Sequence, residues 1–131
     1  MAAPVVAIEE ASVSKANATM TVRKANELVS IIDIHGDINA LAENALMDAY
    51  TQASTGGVQT IILNFTELDY MNSSGISLLV VLLVRMRRQQ QRLLAFGLSE
   101  HYRHILELTR LDEVIAIYET EIDALTATQA A

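Results

Sequence analysis

The chain contains no cysteine and no tryptophan, and it has a single proline among 131 residues. Disulfides and thiolate chemistry are therefore excluded. Aromatic residues make up only 5% of the chain, so any core must be built from isoleucine, leucine, valine and alanine, which suits helices packed on a sheet. Basic residues are also few: 9 Lys and Arg stand against 16 Asp and Glu, giving a net charge of -7. Nucleic-acid binding needs clustered cations to neutralise phosphates, so this balance argues against it. There is no apolar run near the ~20 residues that span a bilayer, and Leu78–Val84 reads as a core helix rather than an anchor. Met1–Glu10 lacks the basic start and long apolar centre of a secretory signal, so we expect a cytoplasmic protein without membrane insertion. No Gly-x-x-x-x-Gly-Lys loop and no Gly-x-Ser-x-Gly elbow is present, so we expect no enzyme activity and no cofactor.

What is present fits one domain with one core. Residues 1–16 have no clear period and are expected to form a flexible N-terminal arm, with the domain at 17–128. Thr19–Lys24 alternates polar and apolar side chains, and Leu28–Ile34 is a second strand, broken by Gly36 and Asp37. Ala25–Glu27 would turn between them to make a hairpin. From Asn39, a natural N-cap, Ala42, Ala45, Leu46, Ala49 and Ala53 recur at helical spacing. Ser54–Gly57 ends that helix. A strand at Val58–Phe65, a central helix, a strand at Arg92–Gly97, a helix capped by Ser99, a strand at Val114–Tyr118 and a fraying helix at Glu121–Thr128 follow. Such alternation implies an α/β fold with a largely parallel sheet.

The chain is organised around Leu63–Val80, where a buried strand passes through a turn into an apolar helix. Asn72, Ser73, Ser74 and Gly75 occupy that turn, and both serines fall in the opening turn of the helix. Free amides and the positive end of the helix dipole would meet a phosphate placed there. A Ser-Ser-Gly tripeptide alone is better explained by helix capping, and only the strand-turn-helix context around it favours a modified serine.

The Met-Asn-Ser-Ser-Gly-Ile turn within Leu63–Ser77 resembles the STAS domain of bacterial anti-sigma factor antagonists, whose usual form is Met-Asp-Ser-Ser-Gly-Leu. Ile34-His-Gly-Asp-Ile-Asn39 resembles that family's Gly-Glu-Leu-Asp at a strand end. Leu106, Thr109, Leu111, Val114, Ile117, Tyr118, Ala124 and Leu125 fit its closing elements, so residues 18–126 are covered. The resemblance implies a STAS fold: a central mixed, largely parallel sheet of about five strands with about four helices, opening with a strand hairpin. It also implies an anti-sigma factor antagonist that binds a serine-kinase anti-sigma factor and releases a sigma factor. Phosphorylation of Ser74 would switch it off, and a PP2C-type phosphatase would restore it. The implied partner surface comprises Gly36, Asp37, Asn39, Asn72, Ser73, Ser74, Gly75 and exposed residues of the central helix. A STAS subunit of a membrane transporter or signalling scaffold, and a small nucleotide-binding protein, are the competing readings.

Three positions depart from the family pattern. Asn39 and Asn72 stand where the family usually has Asp, which either weakens recognition by a kinase or removes charges that would repel a phosphate. Arg110 stands where glycine is preferred at a helix end, at a cost of about 1 kcal/mol if the left-handed backbone is kept. His101 and His104 lie three apart on a helix, but no further ligand is in evidence and no metal site is expected. Arg85, Arg87, Arg88 and Arg92 read as cations complementing the end of the central helix.

Overall fold

The computed structural model describes residues 18–129, so the expected arm at 1–16 lies outside the described residues. The opening hairpin is present: strand β1 (Ala18–Asn26) pairs antiparallel with β2 (Val29–Ile38). Its turn is Glu27–Leu28 rather than Ala25–Glu27. Asn26 Oδ1 accepts a hydrogen bond from the Leu28 N–H at 2.9 Å, which leaves Leu28 half exposed in the turn instead of opening the strand. Strand β2 also continues past Ile34. Gly36 does not break it but sits at φ 90°, a conformation glycine adopts without a Cβ clash, and the pairing with the next strand shifts register on either side of it.

Asn39 caps a short 3-10 turn (Ala40–Ala42), and helix α1 begins only at Glu43, running to Ala53. Strand β3 spans Thr60–Met71 and so extends well beyond Phe65. Helix α2 (Ser73–Arg88), strand β4 (Arg92–Phe96) and helix α3 (Glu100–Leu108) follow as expected, with Ser99 capping α3. The last strand is shorter than its apolar pattern suggested. Residues Leu111–Glu113 form a second 3-10 turn, and the Ile115 N–H donates back to the Leu111 carbonyl at 2.8 Å, which leaves only Ala116–Tyr118 for β5. Helix α4 remains helical over Glu121–Gln129 rather than fraying within the described residues, and it is seated by the fully buried Ala124.

The five strands lie in the order β1-β2-β3-β4-β5, with β1 antiparallel and the rest parallel. Helices α1, α2 and α3 cover one face, where Ile32, Ile34, Leu46, Leu63, Leu82 and Leu106 meet in the main core. Helix α4 covers a smaller cluster on the other face, built on Ile31, Ile62, Leu94 and Phe96. Because β2, β3 and β4 are buried on both faces, their sequences read as continuous apolar runs. Each large side chain fully buried there contributes roughly 1.5–3 kcal/mol relative to exposure.

Candidate serine turn at the strand ends

In the parallel β2–β3 pair, Ile38 lies opposite Met71, so both strands end at the same level of the sheet. The next residue on each is an asparagine in extended conformation that caps a helical turn. Asn39 Oδ1 accepts from the Leu41 N–H at 2.9 Å, and Asn72 Oδ1 accepts from the Gly75 N–H at 2.9 Å. The Asn72 N–H in turn donates to the Ile38 carbonyl at 3.3 Å, which ties the two turns together. Ser73 and Ser74 are exposed in the first turn of α2, where backbone N–H groups have no partner within the helix. No acidic residue occupies that first turn. A phosphate on Ser74 would therefore meet amide donors and the positive dipole end.

Gly75 allows this arrangement. A Cβ built there would approach Met71 Cγ to 2.8 Å and the Ile38 carbonyl carbon to 3.0 Å. Only a residue without a side chain lets α2 start this close to the end of β2. Gly36 and Asp37 sit half-buried on β2 just before Ile38, Asp37 opposite Tyr70. All seven residues singled out in the sequence thus gather at the carboxyl ends of β2 and β3.

Comparison with known proteins follows from this geometry. A family model described as the STAS domain matches residues 20–124. The chain belongs to the STAS domain family. Its sequence is similar to the anti-sigma-B factor antagonist of Listeria monocytogenes, with 28% identity over 90 residues, covering 69% of this chain and 79% of that protein. The anti-sigma-B factor antagonist of Staphylococcus aureus is 24% identical over 93 residues, covering 70% of this chain and 86% of its own length. Among solved structures, the unphosphorylated anti-sigma factor antagonist SpoIIAA superposes with a TM-score of 0.71 at 21% identity, covering 86% of this chain and 98% of that one. An anti-sigma factor antagonist from Mycobacterium paratuberculosis gives a TM-score of 0.72 at 22% identity, covering 84% and 92%. These superpositions place the sheet and its helices in the STAS fold.

The exposed side of α2 in this STAS domain carries a feature that apolar content alone concealed. Val80, Val81 and Val84 are 40%, 42% and 47% exposed, on the side of the helix that also bears Ser73 and Ser77. Leu41 and Tyr70, at 55% and 53%, stand on the two segments that lead into or pack against the same helix. Because the middle of α2, residues 76–84, is apolar on nearly every side, its sequence could not separate core from surface; the i, i+4 recurrence of Ser73, Ser77, Val81 and Arg85 is the one signal that could have found this stripe. A second residue missed in the sequence is Tyr102 of α3, whose buried hydroxyl oxygen accepts the Met71 N–H at 2.9 Å.

The other candidates lie apart from the turn. Arg110 keeps the left-handed backbone at φ 65° and pairs with Glu113 at 3.0 Å. His101 stacks edge-on against Tyr102, while His104 lies 3.8 Å from Glu107; among the described residues no group of three metal-ligating side chains forms. Arg85, Arg87 and Arg88 close the last turn of α2 as expected. On the face that carries α4, Arg23 binds Asp33 through two hydrogen bonds of 2.6 and 2.8 Å and Glu121 through two of 2.9 and 3.3 Å, while Asn64 donates to Asp33 at 2.7 Å. The hydrogen bonds from Arg23 hold the Asp33 carboxyl below its ordinary value, with Asn64 adding to them against the opposing effect of burial. A hollow of about 640 Å³ between the far ends of α1 and α2 is lined by neutral groups including Tyr50, Ser54 and Gln91, and it lies at the opposite end of the sheet from Ser74. No described helix is long and apolar enough to cross a membrane.

Proposed function

We propose that this STAS domain is a cytoplasmic anti-sigma factor antagonist whose unphosphorylated form binds a serine-kinase anti-sigma factor and releases a sigma factor. The observation that carries this reading is the exposure of Ser74 in the first turn of α2, at the head of the exposed Val80, Val81 and Val84 stripe. Its relatives named as anti-sigma-B factor antagonists support the same partner class. Gly36, Asp37, Asn39, Asn72, Ser73, Ser74 and Gly75 form the partner surface together with the exposed side of α2. An apolar stripe of this kind gains by being covered, and a neutral hydroxyl at its head is covered with it without a large penalty where the partner supplies a hydrogen bond.

Phosphorylation changes that balance. A phosphoserine carries about -1.5 to -2 charges at neutral pH, and burying it against an apolar partner penalises the complex. In the free domain the helix amides and dipole stabilise the same charge. Ser74 is thus a substrate of the partner rather than a nucleophile, and a PP2C-type phosphatase resets it. The test is intact-mass analysis after incubation with a serine-kinase anti-sigma factor from the same genome, ATP and magnesium, with Ser74→Ala as control. One added phosphate, lost in the mutant, supports the switch. A stable complex without phosphate would refute phosphorylation control and leave a permanently active binder.

A further inference from the structure

The upper part of β3 reaches beyond its neighbour. Strand β4 ends at Phe96, paired with Asn64, whereas β3 continues to Met71 with β2 on one side only. At that level the chain beyond β4 has already turned through Gly97 at φ 83° towards Ser99 and α3. The Met71 N–H, on the side β4 has left, finds its acceptor in the Tyr102 hydroxyl of α3 at 2.9 Å. The next amide, Asn72, is held from the other side by the Ile38 carbonyl at 3.3 Å. Two successive peptide groups ahead of the serines are therefore clamped from opposite directions, and then Asn72 caps Gly75.

We propose that Tyr102 is the positioning residue of the serine turn and that its hydroxyl couples the state of Ser74 to helix α3. Tyr102 is 8% exposed and its bond to the Met71 N–H is buried, so a hydroxyl removed here leaves a backbone donor without water to replace it. The Met71 peptide lies three residues before Ser74. A phosphate at Ser74 draws the Ser73 and Ser74 amides towards itself, and the reorientation reaches Met71 and through it the Tyr102 ring. By reciprocity, anything that displaces α3 shifts the serine turn by the same coupling. The biological meaning of this coupling rests on Ser74 being the modified residue, while the coupling itself does not.

The experiment uses the full chain with phosphoserine incorporated at position 74 during translation, so that no kinase is needed. Amide exchange and chemical shifts are compared with and without Tyr102→Phe, with Leu106→Val as a variant that loosens α3 without touching the hydroxyl. In Tyr102→Phe the Met71 amide should exchange about tenfold or more faster relative to core amides such as Ile62, and Leu106→Val should not single out Met71. Phosphoserine should shift the resonances of residues 99–105 in the parent chain, and this effect should vanish in Tyr102→Phe. Equal α3 shifts in both backgrounds, or Met71 exchange that only follows the core, would overturn the proposal. A chain that shows the coupling yet is never phosphorylated by its partner would instead overturn the reading of Ser74.

Discussion

Asn39 and Asn72 are structural equivalents on neighbouring parallel strands: each follows one member of the Ile38–Met71 pair, and each caps the helical turn that its strand enters. Two side-chain amides thus do the geometric work that carboxylates could also do, without adding negative charge beside Ser74. The turn retains its shape while its electrostatics are those of neutral caps.

Replacing Asn72 by alanine removes the acceptor for the Gly75 N–H and should lower stability by about 1 kcal/mol, whereas Asn72→Asp should stay within about 1 kcal/mol of the parent chain or gain slightly from the helix dipole. Urea unfolding of the three proteins checks this. In a Ser74-phosphorylated chain, Asn72→Asp should also raise the second phosphate pKa, because a nearby like charge disfavours the dianion. A phosphorus NMR titration that shows no upward shift would place the two groups too far apart to interact.

Gly75→Ala forces a methyl against Met71 and the Ile38 backbone. The backbone contact cannot move aside as a flexible side chain could. The expected loss is roughly 1–3 kcal/mol, together with a displaced α2 N-terminus. Thermal unfolding combined with amide shifts of residues 72–78 reads both effects, and a stability equal to that of the parent would contradict the close approach.

Arg110→Gly should stabilise the domain by about 0.5 kcal/mol. Glycine relieves the left-handed backbone at φ 65°, while added freedom in the unfolded chain offsets part of the gain. The Arg110–Glu113 pair that is lost is exposed at both ends and contributes little. Denaturant midpoints of the two chains provide the measurement.

The Asp33 carboxyl has a folded pKa below the ordinary aspartate value of 3.8, chiefly through the Arg23 hydrogen bonds. Its contribution is therefore fully present above the unfolded value and is lost as pH falls below about 3.8 through the depressed folded value. Unfolding measured between neutral pH and pH 3 should show a declining acid limb that Asp33→Asn flattens. Because Arg23 also holds Glu121 at the start of α4, helix α4 should loosen in that same acid range. Unchanged amide protection of residues 121–129 at low pH would contradict this link.

The serine turn was legible in the linear chain because it depends on local chemistry. Asn, Ser, Ser and Gly at a strand-to-helix junction dictate a cap and an exposed first turn, and those preferences need no distant partner. The order of strands and helices was legible for the same reason, since periodicity records which faces are buried. Boundaries were less so. Gly36 read as a break because glycine ends many strands, yet pairing with β3 carries the chain through a bulge, and Val114 left the final strand because a 3-10 turn claimed its neighbours. What only the tertiary structure decided is which apolar residues of α2 remain uncovered and which hydroxyl meets Met71. Val81 and Leu82 are alike in sequence chemistry, and only the packing of α2 on the sheet buries Leu82 completely and leaves Val81 42% exposed. The Tyr102 contact spans 31 residues and follows from β4 ending early, a long-range fact that no local window of sequence contains.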